Sequence, residues 1–286
     1  MNKKTLFASL RRILVPVVHG RSDDSALTIA RSLAPEVVLV GVVLLPDDGS
    51  LSAGASKAQE LRRLLRTLGR GEQVRARSQV LPVGCDLRGL AVDRQAARAD
   101  RPPIVLWNQR WEYDKNPTEF FTVLQRLADE GVNFGVAVAG ENLRQTPSEF
   151  IEARERLGER VVHWGYVEGR AAYGRLLAAA DVVVSTAWHE FFGVATVEAI
   201  FCGCLPLLPN RLSYPELIPA AWHDLCLYAD FDDLVARLRR ALTERRPAPP
   251  ELRQAMARFD WEALAPIYDD LLEEVARAGR CSPLTA

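Results

Sequence analysis

The amino-acid sequence predicts an α/β protein of two domains, in which a doubly wound parallel sheet follows a shorter α/β layer. Its 286 residues correspond to about two domains at roughly 150 residues each. Short apolar runs alternate with helical periodicities along the chain, as in parallel sheets covered by helices. The run 37–45 is apolar on both faces, which is typical of a strand in the middle of a parallel sheet.

The first 83 residues predict a small α/β domain. Strands are expected at 13–18, 37–45 and 74–81, and helices from Asp23 or Asp24 to Leu33 and over 57–68. Glycine, aspartate and proline then interrupt every period over 84–102, which indicates a linker.

The second predicted domain, 103–286, contains about five strand–helix units. The start of its first helix is well specified, with Asn116 as the cap, Pro117 at the first position and Glu119 three residues after the cap. Strands are expected at 104–107, 134–139, 160–163, 182–185 and 205–208, and helices at 117–130, 146–158, 171–180, 192–201, 230–244 and 261–278. Such a sheet has a crevice for a nucleotide at the carboxyl ends of its strands.

The composition excludes several classes of protein. The 36 basic and 37 acidic residues leave a net charge of −1, and 48% of the residues are hydrophobic, so neither a disordered tail nor a dedicated nucleic-acid binder is expected. No apolar stretch approaches the roughly 18 residues of a membrane span, and no secretory signal is visible. The five scattered cysteines predict reduced thiols in the cytoplasm rather than disulfides or a zinc site.

Residues 189–198 follow an apolar strand and open a helix, which makes them the most informative segment. The free backbone N–H groups at the start of a helix bind phosphate well, and Gly193 would let a diphosphate approach closely. Glu190 and Glu198 are suited to accept hydrogen bonds from hydroxyls of a sugar and of a ribose. A buried helix start with two solvated glutamates would show the same pattern.

Residues 107–117 also pass from a strand to a helix and should line the same crevice. Arg110 and Lys115 could both reach a diphosphate, Arg110 through its planar fork and Lys115 as a point charge. The alternative is a solvated loop in which these two cations pair with Glu112 and Asp114.

Tryptophans are expected at several strand ends of this domain. Each of them either packs in the core or stacks on a base or sugar, and they are Trp107, Trp111, Trp164 and Trp188.

These segments resemble a known family. Glu190 and Glu198, separated by seven residues and with Phe-Gly after the first, are similar to the signature of retaining family-4 glycosyltransferases of the two-Rossmann-domain type. The loop with Arg110 and Lys115 resembles the companion phosphate-binding element, and 82–86 resembles the Pro-x-Gly-x-Asp turn that leaves the N-terminal domain there. Within 79–220, four strings resemble the tRNA-queuosine mannosyltransferase group: 106–117, 163–166, 185–195 and 202–204.

The resemblance implies a Rossmann-like glycosyltransferase domain over 103–286 that transfers mannose from GDP-mannose with retention. The implied acceptor is queuosine in tRNA, and no metal or other cofactor is implied. Arg110 and Lys115 would neutralise the donor diphosphate, and Glu190 would hold hydroxyls of the transferred sugar.

The other implied donor-binding positions surround the nucleotide. The backbone amides from Phe192 through Gly193 to Val194 would cradle the phosphate, next to Phe191. Glu198 would bind the ribose hydroxyls. Tyr166 would read the base, and Gly140 would let a strand end approach the nucleotide.

The N-terminal domain departs from that family, whose corresponding domain is nearly twice as long and supplies the acceptor side. Residues 12–17 and 22–27 instead resemble the opening of a universal stress protein. A catalytically impaired nucleotide-sugar-binding module or sensor therefore stays open as an alternative function. The arginine-rich stretch 62–77 fits either a contact with tRNA phosphates or a solvated helix face.

Overall fold

The computed structural model describes residues 12–14, 38–40, 81–90, 101–141 and 147–280. The chain divides into two compact units, one comprising Met1–Pro82 and Ala265–Ala286 and the other Val83–Leu264. In the first unit, strands β1 (Arg12–Leu14) and β2 (Val38–Val40) pair in parallel; β1 overlaps the predicted strand 13–18 and β2 lies within the predicted strand 37–45. The predicted helices at 23–33 and 57–68, nearly all of strand 74–81 and the arginine-rich stretch lie outside the described residues.

The division differs from the predicted domain boundaries at both ends. Residues 84–90, predicted to begin a linker, belong to the second unit, where Leu87 is fully buried and Cys85 forms a β-bridge with Asp260. The last helix, Trp261–Arg280, continues past the division, so its final part is grouped with the first unit. The turn near Cys85 is hydrogen-bonded to the segment that begins the last helix, which accounts for the first of these differences.

The second unit contains a parallel sheet of six strands. They are β3 (Ile104–Asn108), β4 (Gly135–Ala139), β5 (Val161–Gly165), β6 (Val182–Val184), β7 (Leu205–Pro209) and β8 (Leu227–Tyr228). Their order is β5-β4-β3-β6-β7-β8, the order of a doubly wound sheet. The strand order reverses between β3 and β6, so the loops after these two strands leave the carboxyl edge side by side. Ligands bind at this switch point in such sheets.

Helices connect these strands and complete the chain. They are α1 (Pro117–Asp129), α2 (Ser148–Leu157), α3 (Arg170–Ala179), α4 (Val194–Phe201), α5 (Tyr214–Leu217), α6 (His223–Cys226), α7 (Phe231–Glu244), α8 (Pro250–Ala257) and α9 (Trp261–Arg280). The strands and helices predicted for this domain are confirmed to within a few residues at each end. Strand β8 and helices α5, α6 and α8 were not predicted.

Helix α1 begins where it was predicted, but the capping mechanism expected of Asn116 was wrong. The backbone of Asn116 is left-handed, with φ of 50°, and its side chain makes no capping hydrogen bond. A side-chain cap normally requires extended backbone at that position. Instead, the Asn116 amide donates to the Glu119 carboxylate at 2.6 Å, which ties the loop to the first turn of the helix.

The tryptophans are divided between core and surface. Trp107 and Trp111 are buried, and Trp111 stacks on Phe150 with ring centroids 4.4 Å apart. Trp164 packs against the same core. Trp188 is 39% exposed and therefore the one of the four that presents its ring to solvent.

Candidate functional site

The loops after β3 and β6 are tied together by hydrogen bonds. The Thr186 hydroxyl donates to the carbonyl oxygens of Lys115 at 3.0 Å and Asn116 at 2.9 Å. The backbone N–H of Trp188 donates to the carbonyl oxygen of Asp114 at 2.9 Å. Two segments that are about 70 residues apart in sequence therefore form one edge of the sheet, at its switch point.

Lys115 is a buried cation in this edge, with 7% of the residue exposed. Its Nζ donates to the carbonyl oxygen of His189 at 2.7 Å and lies 3.3 Å from both Glu190 Oε2 and Asp114 Oδ2. An ammonium has three donors, so each of them has an acceptor here. Since two carboxylates surround one ammonium, the cluster carries an excess of negative charge.

Glu190 is oriented by the backbone that follows it. Its Oε1 accepts hydrogen bonds from the N–H groups of Phe191 at 3.1 Å and Phe192 at 3.4 Å. The Phe192 amide, predicted to cradle phosphate, is thus engaged by a carboxylate in this structure. A carboxylate offers about four acceptor positions, and Lys115 and these two amides use three of them.

The start of helix α4 keeps donors open. Gly193 precedes the helix with φ of 92°, a conformation that favours glycine. Among the described residues, no acceptor contacts the N–H groups of Gly193 and Val194, as expected at a helix start. These two amides, which the sequence analysis predicts to bind phosphate, are thus open donors at the start of α4.

Arg110 is arranged differently from Lys115. Its side chain is 65% exposed and pairs with Glu112 at 3.0 Å. The alternative of a self-paired loop therefore describes Arg110, whereas Lys115 pairs both within its loop and across to Glu190. The structure brings Lys115 and Glu190 together without Arg110.

Glu198 is also buried, with 7% exposed, and has its own cation. Arg170, at the start of α3, donates from Nη1 to Glu198 Oε1 at 2.8 Å. Burial and then the charge of Glu198 raise the pKa of Tyr173. Sequence reasoning missed Arg170 and Tyr173, because the only signal available was their position in a helix that follows a strand of the same sheet.

Asn108, at the end of β3, connects these groups to α4. Its amide donates to the Tyr173 hydroxyl at 3.0 Å and to the carbonyl oxygen of Ala195 at 2.8 Å. The carboxyl end of β3 is therefore hydrogen-bonded to the first turn of the helix whose amides are open.

Gly140 and Tyr166 lie at the ends of β4 and β5. A Cβ atom on Gly140, which has φ of 139°, would lie 2.0 Å from the carbonyl oxygen of Gln109. Glycine is therefore required at position 140 because the backbone of the loop after β3 passes close to it. Tyr166 is 65% exposed and borders a cleft of about 610 Å³ that also contacts Gly140 and Trp164.

The described residues contain no cluster of three or more histidines, cysteines, aspartates or glutamates that could hold a metal ion. They also contain no helix that is long and apolar enough to span a membrane. The four cysteines among the described residues are buried thiols that form no disulfide there.

The chain belongs to the family of glycosyl transferases group 1, whose model matches residues 91–259. The family resemblance seen in the motifs is confirmed. A tRNA-queuosine alpha-mannosyltransferase of Drosophila melanogaster is 37% identical over 155 residues, which are 52% of this chain and 41% of that protein.

A second relative covers more of the chain. A GDP-mannose-dependent alpha-(1-6)-phosphatidylinositol dimannoside mannosyltransferase of Mycobacterium tuberculosis is 28% identical over 213 residues, which are 70% of this chain and 53% of that protein. The chain thus spans about half the length of the curated relatives it matches.

Solved structures confirm the α/β fold with a Rossmann-like domain. Sucrose-phosphate synthase from Thermosynechococcus elongatus superposes with a TM-score of 0.65 at 18% identity, covering 97% of this chain and 81% of that chain. HepE from Anabaena in complex with UDP gives a TM-score of 0.66 at 17% identity, covering 95% and 81%.

Proposed function

We propose that the protein is a retaining glycosyltransferase that moves mannose from GDP-mannose to queuosine in tRNA. The observation that carries the proposal is the buried Lys115–Glu190 pair beside the open amides of α4. It lies at the switch point of the sheet, where a nucleotide diphosphate would bind. The similarity to a tRNA-queuosine alpha-mannosyltransferase supports the acceptor.

The donor diphosphate would bind between the amides of Gly193 and Val194 and the ammonium of Lys115. Because all three donors of Lys115 are engaged, a phosphate oxygen must replace one acceptor, and Asp114 is the partner that is more exposed. Arg110 would bring a second cation from the exposed side of the loop. Glu190 keeps one acceptor position for a hydroxyl of the mannose.

Transfer would proceed on one face of the sugar. The acceptor oxygen bonds to the anomeric carbon while the bond between the anomeric carbon and the phosphate oxygen breaks. The acceptor proton passes to the departing diphosphate. The diphosphate gains negative charge in this step, so the fixed amides and the cation of Lys115 stabilise the transition state more than the ground state. No protein nucleophile is required.

The acceptor would meet exposed aromatic rings at the same edge. Tyr113 is 77% exposed, and its ring centroid lies 4.6 Å from that of Trp188. Both belong to the loops that hold Lys115 and Glu190. Proteins that recognise single-stranded RNA stack unpaired bases on such rings.

The test is transfer of radiolabelled mannose from GDP-mannose to purified tRNA by the full chain. We expect incorporation with tRNA from queuosine-sufficient cells and none with tRNA from queuosine-deficient cells. Lys115→Ala and Glu190→Ala should each abolish it, whereas Arg175→Gln, an exposed change on α3, should not. No incorporation into the sufficient tRNA would refute the proposal.

A second candidate, a nucleotide-sugar-binding module, is favoured by residues 12–17 and 22–27, which resemble a universal stress protein rather than the family's N-terminal domain. It predicts that calorimetry detects GDP-mannose binding although no mannose is transferred. Glu190→Ala should then weaken binding of GDP-mannose more than binding of GDP, since Glu190 would contact only the sugar.

A further inference from the structure

The carboxylate of Glu198 is held by Arg170 and lies near Tyr173, both on helix α3. Arg170 Nη1 lies 2.8 Å from Glu198 Oε1, and the side chain of Glu198 is 9% exposed. The Tyr173 hydroxyl accepts from the Asn108 amide at 3.0 Å, and burial and the nearby charge of Glu198 raise the pKa of Tyr173. The carboxylate is therefore fixed by contacts that do not involve a ligand.

Arg170 is itself held from its other side. It donates from Nη2 to the carbonyl oxygen of Asp86, and its Nε lies 3.8 Å from Asp86 Oδ2. Asp86 ends the turn 82–86, which resembles the Pro-x-Gly-x-Asp element. The guanidinium thus bridges an exposed aspartate in this turn and a buried glutamate on α4.

The ion pair with Arg170 compensates the buried carboxylate of Glu198. An ionised carboxylate removed from water is unstable unless a cation and hydrogen bonds compensate it. Of its roughly four acceptor positions, Arg170 occupies one, which leaves at least two for a ligand. Two adjacent acceptors match the pair of neighbouring hydroxyls on a ribose.

We propose that Arg170 is the positioning residue for ribose recognition, because it holds the Glu198 carboxylate in one orientation, and that Asp86 orients Arg170. The inference rests on the proposed function, with the ribose of the donor bound by Glu198 as the family resemblance implies. Arg170 acts through Glu198 and does not touch the nucleotide.

The test compares the affinities of the full chain for GDP and for 2′,3′-dideoxy-GDP by calorimetry. The ratio of the two dissociation constants measures the ribose contribution and should be about tenfold or more in the unmodified protein, as for a hydrogen bond to a charged group. Arg170→Gln should bring the ratio close to one, as should Glu198→Gln. Arg170→Lys should restore part of it, and Asp86→Asn should lower it less than Arg170→Gln does.

The matched control is Arg175→Gln, on the same helix and exposed, which should leave the ratio unchanged. A purely structural role for Arg170 would weaken both nucleotides equally, and that unchanged ratio would overturn the inference while GDP binding stands. If the unmodified protein fails to bind GDP, the proposed function falls as well. If Arg170→Gln lacks the circular dichroism of the folded protein, the ratio of the two dissociation constants is measured for Arg170→Lys and Asp86→Asn instead. A ratio unchanged from that of the unmodified protein in both variants would overturn the inference.

Discussion

Lys115→Met removes the cation between two carboxylates but keeps an unbranched side chain of similar length. Glu190 and Asp114 would then face each other with side chains only 15% and 26% exposed, and the carbonyl oxygen of His189 would lose its donor. Removing one partner of a fully buried ion pair costs about 3–5 kcal/mol. Because both carboxylates retain some contact with water, we expect a loss of about 2–4 kcal/mol in the free energy of unfolding.

Urea denaturation followed by tryptophan fluorescence measures this loss. The control is the same substitution in a Glu190→Gln background, where one of the two uncompensated charges is absent. There the loss should be smaller by about 1–2 kcal/mol, as for residues in direct contact. Equal losses in both backgrounds, or a loss below about 0.5 kcal/mol in the first, would refute the role assigned to the Lys115–Glu190 pair.

Three further outcomes are expected. Gly140→Ala should lower the free energy of unfolding by more than about 2 kcal/mol, because the new Cβ would overlap the Gln109 carbonyl oxygen. Gly131→Ala is the control: Gly131 has φ of 78° but open space around it, so this change should lower the free energy of unfolding by only about 1–2 kcal/mol. Thermal denaturation of the two variants compares these losses. Burial raises the pKa of the Cys85 and Cys226 thiols to about 12, so the free energy of unfolding should fall as the pH rises above the ordinary thiol pKa of about 8.5. Iodoacetamide at pH 8 should modify both thiols only after the protein unfolds. Equal rates of modification in native and unfolded protein would contradict this. Trp188→Ala should lower mannose transfer to tRNA about tenfold, as for the loss of one stacked base, and should leave the affinity for GDP unchanged. Trp188→Phe keeps an aromatic ring and should retain most of the transfer. A parallel loss of GDP affinity would contradict this prediction, because it would place Trp188 on the donor side.

The sequence was sufficient for elements whose own residues determine them. Strand β3 and helix α1 lie within one residue of their predicted bounds, because a short apolar run and a Pro-started periodic segment are local signals. Strand β8 has two residues and carries no periodicity, so it could not be predicted. The alternating pattern predicted the doubly wound class, but only the structure places β6 beside β3.

The site was predicted in its residue types rather than in its pairings. Lys115 and Glu190 were expected at one crevice, yet their direct contact joins positions 75 residues apart. Glu198 was expected as a free acceptor, and its partner Arg170 comes from another helix. Contacts of this kind depend on strand order and on side-chain direction, which a single sequence does not specify.

The interleaved strand order has a consequence for synthesis of the chain. Strand β3 is complete at Asn108, but its neighbour β6 begins only at Val182. Until β6 leaves the ribosome, one side of β3 is an unpaired apolar edge, which is a template for aggregation. Over the same interval the Lys115 ammonium lacks its Glu190 partner. A nascent chain arrested between these strands would therefore expose both the edge of β3 and an unpaired Lys115 to chaperones and proteases.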